Sequence, residues 1–549
     1  MSETIDSKDI RVVAAIDFGT TYSGFAYVHA KNPQEIKTNT EWQDNDGRFK
    51  TPTVLLYDEN MVLKEWGHPA LAERPTRKKS TTGVRPVELF KLYLGSSNHK
   101  PKLPPGLYYK QAISDYLGKI GEKLKTSLKV SWPRLEFYRQ VLLIFTIPAE
   151  FDSNAIGIMR ECALKANLIE ERDSQNLLFT TEPEAAAIHC IKTLPEHDLK
   201  TGASFMVVDC GGGTVDLTTR KLLAGGKLSE ITERTGDYCG GSFVDREFLK
   251  FLGKKVGDSA IKLVEENHYG QLQYMVQEFC RRVKIPFTGN PDVYKSFELD
   301  IEDVCPVLMQ YVRGEEKDKM EENKWVVIID FSDVKAMFDP VVDRIIRLIR
   351  NQLDSCSDCS AMFLVGGFSE SKYLQSRIHR EFDREVENIS VPTHPISAIV
   401  KGAVQFGLKQ GTIVDRILKW TYGTDVCRNW LPTDPEDKKI DDKIVTFSRL
   451  AKKGTRMTVD DKVYGMYTPG SKFQSKMGLD LYITEEEDAQ FCDDSGVTLL
   501  GKFSIDLPFT GDEERSVIYT LQFGMVEILA TAINASTGQR YMTTFDLEF

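Results

Sequence analysis

The chain has 549 residues, 41% of them hydrophobic and 28% charged, and its 70 Lys and Arg against 81 Asp and Glu give a formal net charge of −11. This is the balance of an ordinary soluble globular protein, which excludes a disordered, collagenous or disulfide-stapled chain; at about 150 residues per domain there is length for three to four domain-sized units. An acidic chain lacks the basic face that nucleic acid requires, whereas a small phosphate site needs backbone amides more than net charge and stays open.

The first residues, MSETIDSKDI, lack the basic-then-apolar pattern of a secretory signal. Val12–Phe18 is the first apolar run ending in turn-forming residues, and Val141–Ile147 and Phe205–Asp209 follow it. They predict strands buried on both faces of a sheet. All fall far short of the roughly 20 residues of a membrane helix, so no span is expected. Val244, Phe248, Phe251, Leu252 and Val256 recur at helical spacing. Gly314–Lys324 is charge-dense and reads as a solvated insertion. Val342, Ile345, Ile346, Ile349 and Leu353 predict a second helix after Pro340, Met362–Val365 another buried strand, and Tyr373–Ile378 a helix after it. Strands alternating with helices predict an α/β architecture. His189 and His379 fall within predicted helices and read as packing or exposed residues.

After about Gly411 the helical period fades. Leu479, Leu481 and Ile483 share one side of a predicted strand, opposite Asp480 and Tyr482, and Tyr541, Thr543, Phe545, Leu547 and Phe549 alternate likewise. Turns at Thr468-Pro-Gly470 and Ser536-Thr-Gly538 punctuate the runs, which predicts a small β-sandwich. FDLEF at the end is no ER-retention signal. Ten scattered cysteines predict reduced thiols and a cytoplasmic protein. Cys356-Ser-Asp-Cys359 lacks the second Cys or His pair of a zinc site and reads as a loop before a strand.

An internal echo carries the chemistry. Ala14–Val28 (AAIDFGTTYSGFAYV) and Met206–Arg220 (MVVDCGGGTVDLTTR) each run strand, Asp, Gly-rich turn with Thr, strand. Two such units predict duplicated halves facing a cleft. Gly19 and Gly211, Gly212 and Gly213 allow close backbone approach to an anion, and consecutive amides in such turns form an anion-binding nest. Thr20, Thr21 and Thr214 add hydroxyl donors. Asp17 and Asp209 would repel phosphate unless a cation lay between, and Mg²⁺ holds through waters and only one or two carboxylates. Together these point to a nucleoside triphosphate with Mg²⁺. A third glycine turn, Gly366-Gly367, follows a buried strand and could seat the base and α-phosphate.

With these motifs in view, the chain resembles the actin-like ATPase superfamily and, within it, the 70-kDa heat-shock chaperones. Ile16–Tyr27 and Val207–Thr219 are similar to the family's two phosphate motifs, Phe145–Ala155 and Thr180–Ile188 to its linking elements, and Phe363–Gln375 to its adenosine motif. Gly496–Pro508 and Val526–Thr544 resemble strands of its substrate β-sandwich. In form the chain resembles the atypical heat shock 70 kDa protein 12 branch. The resemblance implies a two-lobed actin-like ATPase of duplicated ribonuclease-H-like halves. Lobe I would span 1–200 and lobe II 201–410, its last helix returning to lobe I; a β-sandwich substrate-binding-like module would span 411–549.

By matching position, the resemblance puts Asp17, Thr20, Thr21 and Tyr22 on the first phosphate loop and Asp209, Gly211, Gly212, Gly213 and Thr214 on the second. Asp17 and Asp209 would hold hydrated Mg²⁺, with Glu182 in the same water network and Asp216 near the attacking water. Pro148 matches a switch proline, and Lys91, in FKLYLG, the catalytic lysine, though a solvated helix-face lysine is the alternative there. Gly240 and Gly241 match the turn before the ribose-side helix, and Lys284 the ribose-contacting lysine. Three departures touch the nucleoside. Arg281 stands where the family has an acid, Phe368 and Glu370 replace a serine and a base-stacking arginine, and Ile396-Ser397 has lost an acid.

Gly411–Lys419 replaces the family's acidic, leucine-rich interdomain linker with mixed charge, and a helical lid is expected to be absent. A lidless groove predicts faster peptide release. The implied activity is ATP hydrolysis coupled to extended or unfolded polypeptide clients, with cochaperones as further partners. The alternatives are a nucleotide-binding switch or scaffold with little hydrolysis, and a small-molecule kinase, which would have no use for the β-module.

Overall fold

Val12–Asp17 (VVAAID) offers a continuous apolar stretch, and a parallel-sheet environment buries it on both faces. It pairs antiparallel with Tyr22–His29 and parallel with Val141–Ile147, which pairs with Leu177–Thr181. Lys37–Thr38 and Thr51–Pro52 complete this sheet along Tyr22–His29. In this computed structural model the described residues are 9–544, without 44–45, 76–84, 96–99, 192–195, 197–198, 357, 471–473, 487, 508–514, 524–525 and 536–537. The N-terminal decapeptide up to residue 8, Pro508, Ser536-Thr537 and the Phe545–Phe549 alternation lie outside them.

The second sheet repeats the first. Ser204–Cys210 pairs antiparallel with Val215–Leu223 and parallel with Ala361–Val365, which pairs with Asn388–Ser390. Lys227–Glu230 and Thr235–Asp237 both join Val215–Leu223. Each sheet thus opens on a hairpin whose first strand carries an aspartate at its end, Asp17, or one residue before it, Asp209.

A shared core joins the sheets. Val13, Ala15 and Ile144 of the first and Phe205, Val207 and Phe363 of the second pack around the helices Glu182–Cys190 and Pro395–Leu408. Small residues, Ala185–Ala187 and Ala403, let these helices approach closely. At their crossing a Cβ on Gly402 would run into the Ala185 carbonyl, so only glycine fits.

The elements differ from sequence expectation in three places. The helix expected after Pro340 starts at Phe331 and runs to Asp354, straight through the proline. Reciprocal capping by Asp330 and Asp333 starts it. The buried stripe Val334, Met337, Phe338, Val341, Val342, Ile345 and Ile349 outweighs the hydrogen bond that Pro340 cannot donate. The charge-dense Gly314–Lys324 forms a helix, Gly314–Glu322, that inserts Met320 into the core. In Lys476–Thr484 the register shifts between Leu481 and Tyr482, which breaks the alternation, so Thr484 is buried while Ile483 is only partly so.

Beyond residue 418 two four-stranded antiparallel sheets follow, ordered Lys443–Ala451, Thr421–Asn429, Lys476–Thr484, Val497–Asp506 and Lys462–Tyr467, Val517–Gln522, Leu529–Asn534, Arg540–Thr544. Their apolar faces share cores: Leu481 and Leu500 of one meet Leu521 and Ala530 of the other. Among the described residues no helix is long and apolar enough to cross a membrane.

The segment between the two regions is docked. Ile413 bridges Leu228 in parallel, Val414 N–H donates to the Leu228 carbonyl at 3.0 Å, and Asp415 accepts from Glu230 N–H at 2.8 Å. Arg416 forms a fork on the wholly buried Glu184, at 2.7 and 3.0 Å, where Arg220 also reaches at 3.1 Å. Burial would raise the Glu184 carboxyl, but Arg416, Arg234 and Arg220 outweigh it and hold it well below the usual carboxylate range.

Candidate functional site

The two hairpin turns face each other across one cleft, lined by Asp17, Gly19, Thr20, Thr21, Tyr22, Lys50, Lys91, Glu182, Asp209, Gly211–Thr214, Gly366, Gly367, Ile396 and Ile399. The loops nearly touch: a Cβ on Gly212 would run into Thr21, and one on Gly213 into Thr20. Gly366 adopts φ +83°, and a Cβ there would meet Asp209.

Each turn is braced from behind. Gly19 N–H donates to Ser23 Oγ at 3.2 Å, and Thr53 Oγ1 donates to the Gly19 carbonyl at 2.9 Å. In the second turn Gly211 N–H donates to the Thr214 carbonyl at 3.0 Å. The amides of Gly240, Gly241 and Ser242 donate to the carbonyls of Gly213, Gly211 and Gly212, at 3.2, 3.0 and 2.8 Å. Gly240 and Gly241 therefore lie behind the loop rather than in the cleft wall, at the start of the helix Ser242–Val256.

Four carboxylates gather here. Asp17 accepts from Thr146 Oγ1 at 3.2 Å. Asp209 is 2% exposed and its Oδ1 has no hydrogen-bond partner; burial, then Glu182, Asp216 and Asp17, push it well above the usual carboxylate range. Asp216 sits opposite Asp209 across the hairpin, outside the cleft lining, and accepts from Ala149 N–H at 2.7 Å. Burial and the nearby Glu182 push it up to about 7. Glu182, at the start of its helix, is raised by burial and partly relieved by Lys91.

Lys91 is not on a solvated helix face. It lies in the turn Phe90–Leu94, 3% exposed, with Nζ 2.8 Å from Glu182 Oε1 and 5.7 and 5.5 Å from the ring centres of Phe18 and Phe151. Pro148 precedes Ala149, whose amide holds Asp216, and Glu150, which pairs with Lys419 of the interdomain segment at 3.0 Å.

The nucleoside side differs. Lys284 does not line the cleft; Asp245 holds it at 2.6 Å and also accepts from the Cys280 thiol at 3.2 Å. Tyr22 is half-exposed at the mouth, within electrostatic reach of Lys284 and Asp245. Arg281 turns outward to Glu278, Phe368 is buried against Gly241 and Phe338, and Ile396 and Ile399 give the cleft an apolar edge. Cys356 and Cys359 point at the backbone carbonyls of Asp358 and Ala361, and none of the ten cysteines is in a disulfide.

Two residues escaped the sequence reading. Lys50, just before Thr51–Pro52, places Nζ 2.6 Å from Asp17 Oδ2 inside the cleft. Arg416 carries the interdomain segment onto Glu184. Neither stands in a motif, and only the tertiary pairing reveals them.

Comparison with known proteins follows the same lines. No protein-family model matches the chain. Over 99% of its length it is 27% identical to heat shock 70 kDa protein 12A of Homo sapiens, covering 93% of that protein. Over 97% it is 25% identical to heat shock 70 kDa protein 12B of Homo sapiens, covering 91%. The chaperone protein DnaK of Mycoplasmopsis synoviae (strain 53) is 24% identical over 74% of the chain, which spans 60% of that relative.

Proposed function

We propose, from its likeness to the 70-kDa heat-shock chaperones and in particular to the heat shock 70 kDa protein 12 branch, that the chain belongs to that family, binds ATP in the cleft, hydrolyses it and couples nucleotide state to the binding of extended polypeptide. The observation that carries this reading is the facing pair of glycine–threonine turns, Thr20 against Gly213 and Thr21 against Gly212, each following a strand-end aspartate.

The residues present fit Mg²⁺ and a triphosphate. Asp209 Oδ1 is buried without a hydrogen-bond partner, and Gly212, Gly213 and Gly366 let backbone come against Thr21, Thr20 and Asp209 where any Cβ would collide. Asp17 and Asp209 would hold the ion through waters, and among the described residues no three acidic, His or Cys side chains converge as a direct metal cage. When bound, Mg²⁺ neutralises charge on the β- and γ-phosphates. Amides of Thr20, Thr21 and Gly212–Thr214 cradle the phosphates, with the hydroxyls of Thr20, Thr21 and Thr214 as further donors, while the Gly19 and Gly211 amides brace the turns from within. Lys91, steered by Glu182, is aimed at charge developing on the γ-phosphoryl. Glu182, Asp209 and Asp216 orient the attacking water, and the raised Asp216 can hold its proton. Gly366-Gly367 serve the nucleoside side, with Lys284 held back on Asp245, and Phe368, Glu370 and Arg281 leave base preference to apolar contact with Ile396 and Ile399.

Lobes at 1–200 and 201–410 would then close on the nucleotide, and 411–549 would act as a β-sandwich for polypeptide in the cytoplasm. Tyr464 and Met466 support the last role: they share one face of Lys462–Tyr467 and are 66% and 68% exposed. The test is ATP turnover by the full chain against Asp209→Asn. Turnover should fall by about 10²-fold or more in the variant, as when an electrostatic group of a phosphoryl site is lost; unchanged turnover would remove Asp209 from the reaction. A nucleotide switch with little hydrolysis is the second reading, favoured by the altered nucleoside contacts, and tight ATP binding with negligible turnover in the parent chain would select it.

A further inference from the structure

One cation in the cleft has no part in that scheme. Lys50 is 9% exposed, its ammonium is 2.6 Å from Asp17 Oδ2, and Asp209 and Glu182 also lie within its electrostatic reach. A buried lysine among acids is held there by construction. Thr51 and Pro52 pair with Ser23 and Tyr22 of the first hairpin, and Thr53 N–H donates to the Thr21 carbonyl at 2.8 Å. The side-chain stem lies over Gly24, where a Cβ would come 3.1 Å from Lys50 Cγ. Strand pairing fixes the backbone and the bare strand position gives room for the stem.

Its position is that of a counter-ion between an anchor aspartate and the phosphate turns. We propose that Lys50 is a built-in cation of this cleft, taking the charge of Asp17 and meeting the triphosphate directly, so that nucleotide binds with little dependence on Mg²⁺. This rests on the nucleotide reading above and sharpens it. Both aspartates keep a buried oxygen without a hydrogen bond, Asp17 Oδ2 and Asp209 Oδ1, but Asp17 Oδ2 is already neutralised by the Lys50 ion pair, which leaves Asp209 as the anchor for an ion. An ammonium is a compact point charge with three donors, so it can serve carboxylate and phosphate together.

The experiment measures ATP affinity of the full chain by calorimetry, with Mg²⁺ and again in excess chelator, for the parent, Lys50→Met and Lys50→Arg. Chelation should weaken the parent less than about tenfold. It should weaken Lys50→Met by about 100-fold, the scale of a lost charge-assisted hydrogen bond added to a lost metal. Lys50→Arg should behave as the parent. In a second arm without nucleotide, Mn²⁺ titration should show Lys50→Met binding the ion at least about tenfold more tightly than the parent, because Asp17 is released. Three results would overturn the role: equal metal dependence in parent and Lys50→Met, tighter ATP binding by Lys50→Met in both conditions (a plug rather than a ligand), or unchanged Mn²⁺ affinity. Absence of ATP binding by every form in every condition overturns the nucleotide reading itself, and this inference with it.

Discussion

Lys91 shows what one residue's surroundings decide. Glu182 fixes its ammonium at 2.8 Å and two aromatic faces flank it, so the charge is aimed into the cleft rather than to solvent. Lys91→Met should lower ATP turnover by about 10²-fold or more and alter ATP affinity only a few-fold, the pattern of a group that acts in the transition state. Single-turnover kinetics beside equilibrium binding checks this, and equal losses in both would make it a ground-state contact. Lys50 had no such sequence signal. It is one of 70 basic residues and stands in GRFKTPT without a spacing that implies chemistry. It enters the cleft only because Thr51–Pro52 pairs with the first hairpin.

At the scale of elements, the buried strands were legible because burial on both faces imposes an unbroken apolar run, as in Val141–Ile147 and Ser204–Cys210. The helix Phe331–Asp354 was legible only in its second half, since a proline argues locally against helix and only the packed stripe on both sides of it settles the matter. The bulge in Lys476–Thr484 was likewise invisible, because register is a property of two strands. The Glu182–Cys190 and Pro395–Leu408 helices cross where Gly402 meets the Ala185 carbonyl. Gly402→Val should therefore cost about 1–3 kcal/mol or more by overpacking, read as a lower urea midpoint. An unchanged midpoint would mean that the crossing has slack.

For the whole molecule, the question is how the C-terminal sheets report on the cleft. Arg416 on Glu184, Lys419 on Glu150 and Arg160 on Glu527 tie the later region to the two sheets that flank the cleft and the helices on them. Arg416→Met removes one partner of a buried cluster and should loosen the 413–417 segment by about 3–5 kcal/mol, seen as faster amide exchange there. Exchange unchanged in that segment would show that the backbone pairing with Leu228 suffices. The pH dependence follows from Glu184. Its folded pKa is depressed, so its contribution is fully present above the unfolded value of about 4.3 and is lost only as pH falls through the lower folded value. Docking should therefore be flat from pH 8 to 5 and weaken only in stronger acid; exchange that rises between pH 7 and 5 would point to another group. Replacing Tyr464 and Met466 by Ser should weaken polypeptide binding without lowering basal turnover, since neither touches the cleft.

The sequence by itself determined the repeated strand–Asp–glycine turn–strand unit, the change to β structure after Gly411 and the residues of the two glycine–threonine turns, because each is a local requirement of backbone geometry or burial. Tertiary structure alone decided which charges meet. Lys50 with Asp17, Lys91 with Glu182 and Arg416 with Glu184 are separated by 33, 91 and 232 positions. Electrostatic contact depends on distance in space and on the water that folding removes, and neither is written in the spacing of residues along the chain.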